Sequence, residues 1–251
     1  MSAPTRRSFV SALLLAFCLG NATSGQPADA WRSLFNGENF TDWTLVDPPI
    51  DATVQDGAMV IHMTPHTARH AFIRTIETFH DFIFEIEFLR DQGMDSGVLF
   101  RSEDAPDSAF SGLFGYMVKL DPQAQRRWTG GIFVDYGNGY NWLHTLADDP
   151  QAQAAEKPGP DWNRLRIEAI GDIITVWLNG VPTAHLRDDR YTAGYIALKI
   201  HFMNTGDPAQ QARTLRYRHA RIITEKPARF TTPSPLPLID ARDDQEITYF
   251  R

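Results

Sequence analysis

The feature that most constrains this chain is a period of two. Phe82, Phe84, Ile86 and Phe88 alternate with Ile83, Glu85, Glu87 and Leu89. Successive side chains of a strand point to opposite faces, so this spacing predicts a strand with one buried aromatic face. Gly115 to Asp121 sets Tyr116, Val118 and Leu120 against Met117, Lys119 and Asp121. Tyr195 to Phe202 sets Ile196, Leu198, Ile200 and Phe202 against Tyr195, Ala197, Lys199 and His201. Ser96 to Arg101, Gly131 to Tyr136 and Leu215 to Thr224 read as further strands. Asn163 to Ile170 and Ile173 to Leu178 flank Gly171-Asp172, and Asn179-Gly180 follows; both dipeptides are hairpin-turn chemistry. No helical period is sustained, and 147–155 is the best short helix. Many short strands punctuated by turns predict an all-β sandwich or jelly roll.

The two ends of the chain read differently. Thr5-Arg6-Arg7-Ser8-Phe9-Val10 leads into an apolar run from Ser11 to Gly20, too short to span a bilayer comfortably, and Ala28-Asp29-Ala30 is an A-x-A cleavage pattern. Residues 1–30 therefore read as a signal peptide, and the paired arginines resemble the bacterial twin-arginine signal. Phe17 is bulky for the position before a lipidated cysteine, which argues against Cys18 as a lipid anchor. Cleavage after Ala30 gives a periplasmic or secreted chain with no stable membrane anchor. It removes Arg6, Arg7 and Asp29, leaving 22 basic and 30 acidic residues, a net charge of −8. An acidic chain argues against a nucleic-acid partner held through phosphates. Cys18 is the one cysteine, so neither an intrachain disulfide nor a thiolate metal cluster is available. Residues 31–226 form the predicted domain. The Pro-rich stretch 227–251 reads as an extended tail, with Ile247 to Phe250 docking as an edge strand.

Several segments resemble the bacterial 3-keto-disaccharide hydrolase family. They are Leu34-Phe35-Asn36-Gly37 with Trp43, Asp81-Phe82, Asp95-Ser96-Gly97-Val98 with Phe100-Arg101, and Gly115-Tyr116 with Asp121. Gly130-Gly131-Ile132, Trp162-Asn163, Leu178-Asn179-Gly180 and Gly194-Tyr195-Ile196-Ala197-Leu198 with His201 complete the set. The resemblance implies a concanavalin-like sandwich of two curved antiparallel sheets with a concave sugar-facing surface. It also implies an oxidised, 3-keto sugar or glycoside as partner. Two positions depart from the pattern: the family often has Glu where this chain has Met117, and Gln where it has Lys199.

A C3 ketone acidifies the C2 hydrogen of a sugar. A base can remove it, and the C1 substituent then leaves by elimination, with water addition completing a net hydrolysis. Such chemistry needs a base, a positive group or metal at the ketone oxygen and a stacking platform, not the paired carboxylates of ordinary glycosidases. If the alternating strands are neighbours in one sheet, Glu85, Glu87, Lys119, Asp121, Lys199 and His201 line one surface. The base candidates are His201, Glu87 and Asp121. Lys119, Lys199 and Arg101 are candidates for the oxyanion, with Arg101 equally readable as an ion-pair partner. Trp128, Tyr136, Tyr140 and Trp142 are candidate stacking groups. Trp162 and Trp177 read as packing residues.

The chemistry calls for no particular cofactor; a divalent metal held by Glu85, Asp121 or His201 is compatible with it. His62, His66 and His70 would align on a helix, but Thr64-Pro65 interrupts it between strands. Two functions compete: a 3-keto-glycoside hydrolase or lyase, and a non-catalytic lectin-like module on the same fold. A laminarinase is disfavoured, since Glu85-Ile86-Glu87 lacks the third carboxylate of an E-x-D-x-x-E strand.

Overall fold

A computed structural model describes residues 30–46, 50–62, 69–201 and 213–242, and the backbone of 248–249. The expected signal peptide, His66 and the outer residues of the 247–250 strand lie outside the described residues.

Two sheets face each other. In chain-order numbering the first runs β3 (Asp51–Gln55), β4 (Ala58–His62), β15 (Thr214–Ile223), β6 (Phe82–Arg90), β11 (Asn163–Ile170), β12 (Ile173–Leu178), β13 (Val181–Arg187) and β16 (Ile239–Asp240). β1 (Arg32–Ser33) pairs beside β15. The second runs β2 (Trp43–Val46), β5 (Ala71–Thr75), β14 (Tyr195–Ile200), β7 (Ser96–Asp104), β8 (Leu113–Leu120), β9 (Ile132–Asp135), β10 (Gly139–His144) and β17 (Thr248–Tyr249). All pairings are antiparallel except β13 with β16. The one α-helix among the described residues is a single turn, Pro150–Gln153, capped by Asp149. This is the jelly-roll sandwich that the alternation predicts.

The period-two faces close the core as expected. Phe82, Phe84, Ile86 and Phe88 of β6 meet Val98, Phe100, Tyr116, Val118, Ile196 and Leu198 of the opposite sheet in one apolar cluster. Full burial of such side chains stabilises the fold by roughly 1.5–3 kcal/mol each. The β12–β13 hairpin turns at Asn179 (φ 52°) and Gly180 (φ 83°), the left-handed pair that a two-residue hairpin with the right twist requires.

The same alternation fixes what lies outside, and one expectation fails there. β6 belongs to the first sheet, whereas β8 and β14 belong to the second. Glu85 and Glu87 therefore face away from Lys119, Asp121, Lys199 and His201, on the other side of the sandwich. The tail continues along the first sheet. Pro227–Phe230 forms a 3-10 turn, Ile239–Asp240 pairs with β13, and Thr248–Tyr249 pairs with Gly139–Tyr140 at the border of the second sheet.

Candidate functional site

The outer face of the second sheet carries the site. Lys119 of β8 and Lys199 of β14 sit level on either side of Gly97 in β7. Gly97 has no side chain to separate them. The Met117 thioether lies over it instead, and a Cβ there would come within 2.7 Å of the Met117 sulfur. Met117, Leu99, Phe133, Phe72, Leu113 and Ala197 form a second, smaller apolar cluster that floors this face.

Ion pairs rise from that floor. The Lys119 ammonium donates to Asp95, and Lys199 donates to Asp135 at 2.8 Å. Asp135 is fully buried and Lys199 is 3% exposed. A buried pair of this kind holds only while both partners are present. Burial pulls the Lys119 ammonium below its ordinary pKa; Asp95 opposes that shift, and Lys199 adds to it. His201 follows β14 and brings Nε2 to 3.9 Å from Asp95. Its ring meets His70 edge-on with centroids 4.4 Å apart. Burial, then the charges of Lys199, His201 and Lys119, hold the His70 imidazole far below its ordinary pKa, so it is neutral at physiological pH. The half-exposed members are His201 and Asp95, at 32% and 28% of their side chains.

Asp121 ends the same face and braces a loop. Its two oxygens accept from Arg126 Nε at 2.8 Å and Nη2 at 2.6 Å, and from the backbone N–H groups of Trp128 at 2.9 Å and Gln123 at 3.3 Å. Burial raises its pKa, but Arg126 and the two amides outweigh burial and hold it below the ordinary carboxylate value. A carboxylate so occupied is a poor base and a good strut. Because the folded pKa is depressed, this stabilisation is complete above the unfolded value of about 4 and is lost as pH falls through the folded value. Asp121→Asn is expected to lower stability by about 1–2 kcal/mol near neutrality, from weakened charged hydrogen bonds, with the difference closing in acid. Thermal unfolding of both proteins across pH checks this; a gap that persists in acid refutes it.

The strut places an aromatic platform. Arg126 lies 4.8 Å from the Trp128 ring and 5.9 Å from that of Trp142. Trp128 and Trp142 meet at 5.2 Å, edge to face. Phe133 joins Trp142 at 5.1 Å and Tyr140 at 5.5 Å. Tyr136 is not part of it: one residue out of phase with Asp135, it packs against the inter-sheet core.

Three expected site residues lie elsewhere. Glu85 is held by Arg166 at 2.9 Å and Arg221 at 2.5 Å, and Glu87 by Arg218 at 2.8 Å, all outside the first sheet. Arg101 is fully buried. The β7 strand bulges between Phe100 and Glu103, and Arg101 takes φ 47°. A bulge re-aims a side chain, and here it turns the guanidinium to the end of the sandwich. There it donates to the carbonyls of His80 (3.1 Å), Gly171 (2.9 Å) and Tyr191 (3.3 Å) and to Asp81 (3.3 Å). Of the candidate metal ligands Glu85, Asp121 and His201, Glu85 lies on the opposite sheet from the other two. His62 closes a strand of the first sheet, while His70 precedes β5 of the second.

Sequence reasoning missed Asp95, Asp135 and His70 as members of this site. The only signal for Asp95 is its motif. In Asp95-Ser96-Gly97 the carboxylate faces out, and the serine turns in to Tyr217 at 3.0 Å and to the Lys199 carbonyl. The glycine then clears the lane between the lysines.

The chain is similar to known proteins in sequence family and in fold. Residues 30–223 match the 3-keto-alpha-glucoside-1,2-lyase-like domain family. No curated protein matches the chain. The fold is shared with a protein from Parabacteroides distasonis assigned provisionally as a glycosyl hydrolase (TM-score 0.54, 16% identity, covering 78% of this chain and 94% of that one). It is also shared with the carbohydrate-binding module CBM66 from Bacillus subtilis (TM-score 0.51, 16% identity, 73% and 97%). A third is the kappa-carrageenase of Pseudoalteromonas carrageenovora, complexed with a carrageenan oligosaccharide (TM-score 0.53, 12% identity, 81% and 98%).

Proposed function

The chain belongs to the 3-keto-alpha-glucoside-1,2-lyase-like family, and on that premise we propose that it cleaves 3-keto-glycosides by base-assisted elimination after export to the periplasm. The observation that carries this reading is the convergence of Lys119 and His201 on Asp95 beside the Trp128–Trp142 platform. His201 Nε2 takes the C2 proton, and the C2–H electrons pass to the C3 oxygen as an enolate. The Lys119 ammonium, anchored by Asp95, stabilises that oxygen. The enolate collapses to the C3 ketone, a C1–C2 double bond forms, and the C1–O bond breaks. The imidazolium returns its proton to the departing oxygen. Water added across C1–C2 then gives net hydrolysis. The amino-terminal thirty residues and their paired arginines support the export reading.

A second reading, a non-catalytic carbohydrate-binding module, has its own support. Each carboxylate named at the site already has a cationic neighbour, and one structural neighbour is a binding module. Incubation with a 3-keto-glucoside bearing a chromogenic aglycone separates the two. Release of the aglycone supports the enzyme; saturable sugar binding without release supports the module. If the platform stacks on the sugar, Trp142→Ala is expected to raise KM about five- to tenfold with a smaller change in kcat, the loss of about 1–1.5 kcal/mol of ring contact. An unchanged KM removes Trp142 from the substrate surface.

A further inference from the structure

The outer face of the first sheet, on the far side of the sandwich, carries a trough of two adjoining hollows. One of about 450 Å³ is walled by Trp162, Trp177, Lys157 and Arg166, and one of about 370 Å³ by Trp31 and Arg221. Glu85, Glu87 and Arg164 line both, so the hollows run into each other. The trough follows from the strand period. The alternation that buries Phe84 and Ile167 turns Glu85, Arg166 and Trp177 outward.

Its walls are braced before any ligand arrives. The Arg218 guanidinium covers the Trp162 ring at 3.9 Å, and Arg221 covers Trp31 at 4.3 Å. Arg218 is held in turn by Glu87, and Arg221 by Glu85. Indoles fixed in this way lose little freedom when a flat ligand stacks on them. Trp177 lines the larger hollow from beneath its neighbours. It is only 8% exposed, and its indole Nε1 is buried without an acceptor in the protein.

Charge narrows the ligand. Lys157, Arg164, Arg166, Arg218 and Arg221 outnumber Glu85, Glu87 and Glu168 on this face, in a chain whose net charge is −7. Arg164 is the most open, with 57% of its side chain exposed and one contact to Glu87 at 3.3 Å. We propose that the trough is a second carbohydrate site, for an extended oligosaccharide that bears carboxylates. Trp162 and Trp31 stack on sugar rings at its two ends, and Arg164 and Lys157 meet the carboxylates. This assignment is independent of the chemistry on the opposite sheet.

The test titrates the whole chain with a short oligogalacturonate and with an uncharged gluco-oligosaccharide of equal length, by calorimetry and tryptophan fluorescence. The uronate is expected to bind saturably, about tenfold or more tighter than the neutral chain, and more weakly as salt rises. Trp162→Ala is expected to lose at least about tenfold in affinity. Arg164→Gln, which removes the most open cation, is expected to lose several-fold for the uronate and little for the neutral chain. Trp142→Ala, on the other face, is expected to leave uronate binding unchanged. Absence of saturable uronate binding, equal affinity for the neutral chain, indifference to both Trp162→Ala and Arg164→Gln, or loss in Trp142→Ala would each overturn the proposal.

Discussion

Replacing His201 with Ala is expected to lower kcat for aglycone release from a 3-keto-glucoside by about 10²–10⁴-fold, the range for loss of a positioned base, with KM changed by no more than a few-fold. The reason is placement. Of the groups on this face, Asp121 has both oxygens taken by Arg126 and two amides, and His70 is fully buried. His201 is half-exposed, with Asp95 beside it. Asp95→Asn gives the companion result. Asp95 raises the Lys119 pKa against the pull of burial, so its neutral replacement lets that pKa fall further. If the ammonium must be charged to hold the enolate oxygen, activity in Asp95→Asn fails at a lower pH on the alkaline side than in the parent. Stopped assays across pH, with folding checked by circular dichroism, test both. A His201→Ala protein that keeps a tenth or more of the parental turnover would remove His201 as the base.

The second large effect concerns stability. Arg101→Leu is expected to destabilise the fold by on the order of 3–4 kcal/mol, leaving buried carbonyls without donors, and to lower Tm by roughly 6–16 °C for a domain of this size. The guanidinium joins β7 of one sheet to the Gly171 hairpin and the His80–Asp81 entry strand of the other. It is held by a tight backbone: a Cβ on Gly194 would stand 2.4 Å from the Ser102 carbonyl oxygen. Folded Arg101→Leu protein should still turn over substrate, because the arginine touches none of the site. Calorimetry that finds Tm unchanged, or an intact fold without activity, contradicts this role.

These two arginine and histidine positions show what the residue pattern can carry. The period of two identified the buried face of β6, β8 and β14, and hence that Lys119, Lys199 and His201 each look outward. It could not say which sheet a strand joins, because alternation is the same in either. The chain leaves the first sheet after Arg90 and enters the second at Ser96, and that crossing separated Glu85 and Glu87 from the rest. Arg101 was misplaced for a different reason: a bulge breaks the phase, and its positive φ leaves no trace in residue type. Val181–Arg187 carries Pro182, a residue that argues against a strand; the ladder admits it at an irregularity opposite Val176 and Trp177. Ala58–His62 is apolar almost throughout and offers no alternation. Asp95 sits just ahead of its strand, where only local chemistry, not period, could mark it.

The last stretch of the chain has a mechanical consequence. Ile239–Asp240 lies along one border of the first sheet, and Thr248–Tyr249 along one border of the second. An uncovered border is a row of vacant amide and carbonyl groups that invites another polypeptide to join. The tail thus works as a hem stitched to both fabrics. A protease that unpicks it would leave the two sheets in place and yet change the company the molecule keeps, since two raw seams would then be free to recruit neighbouring copies.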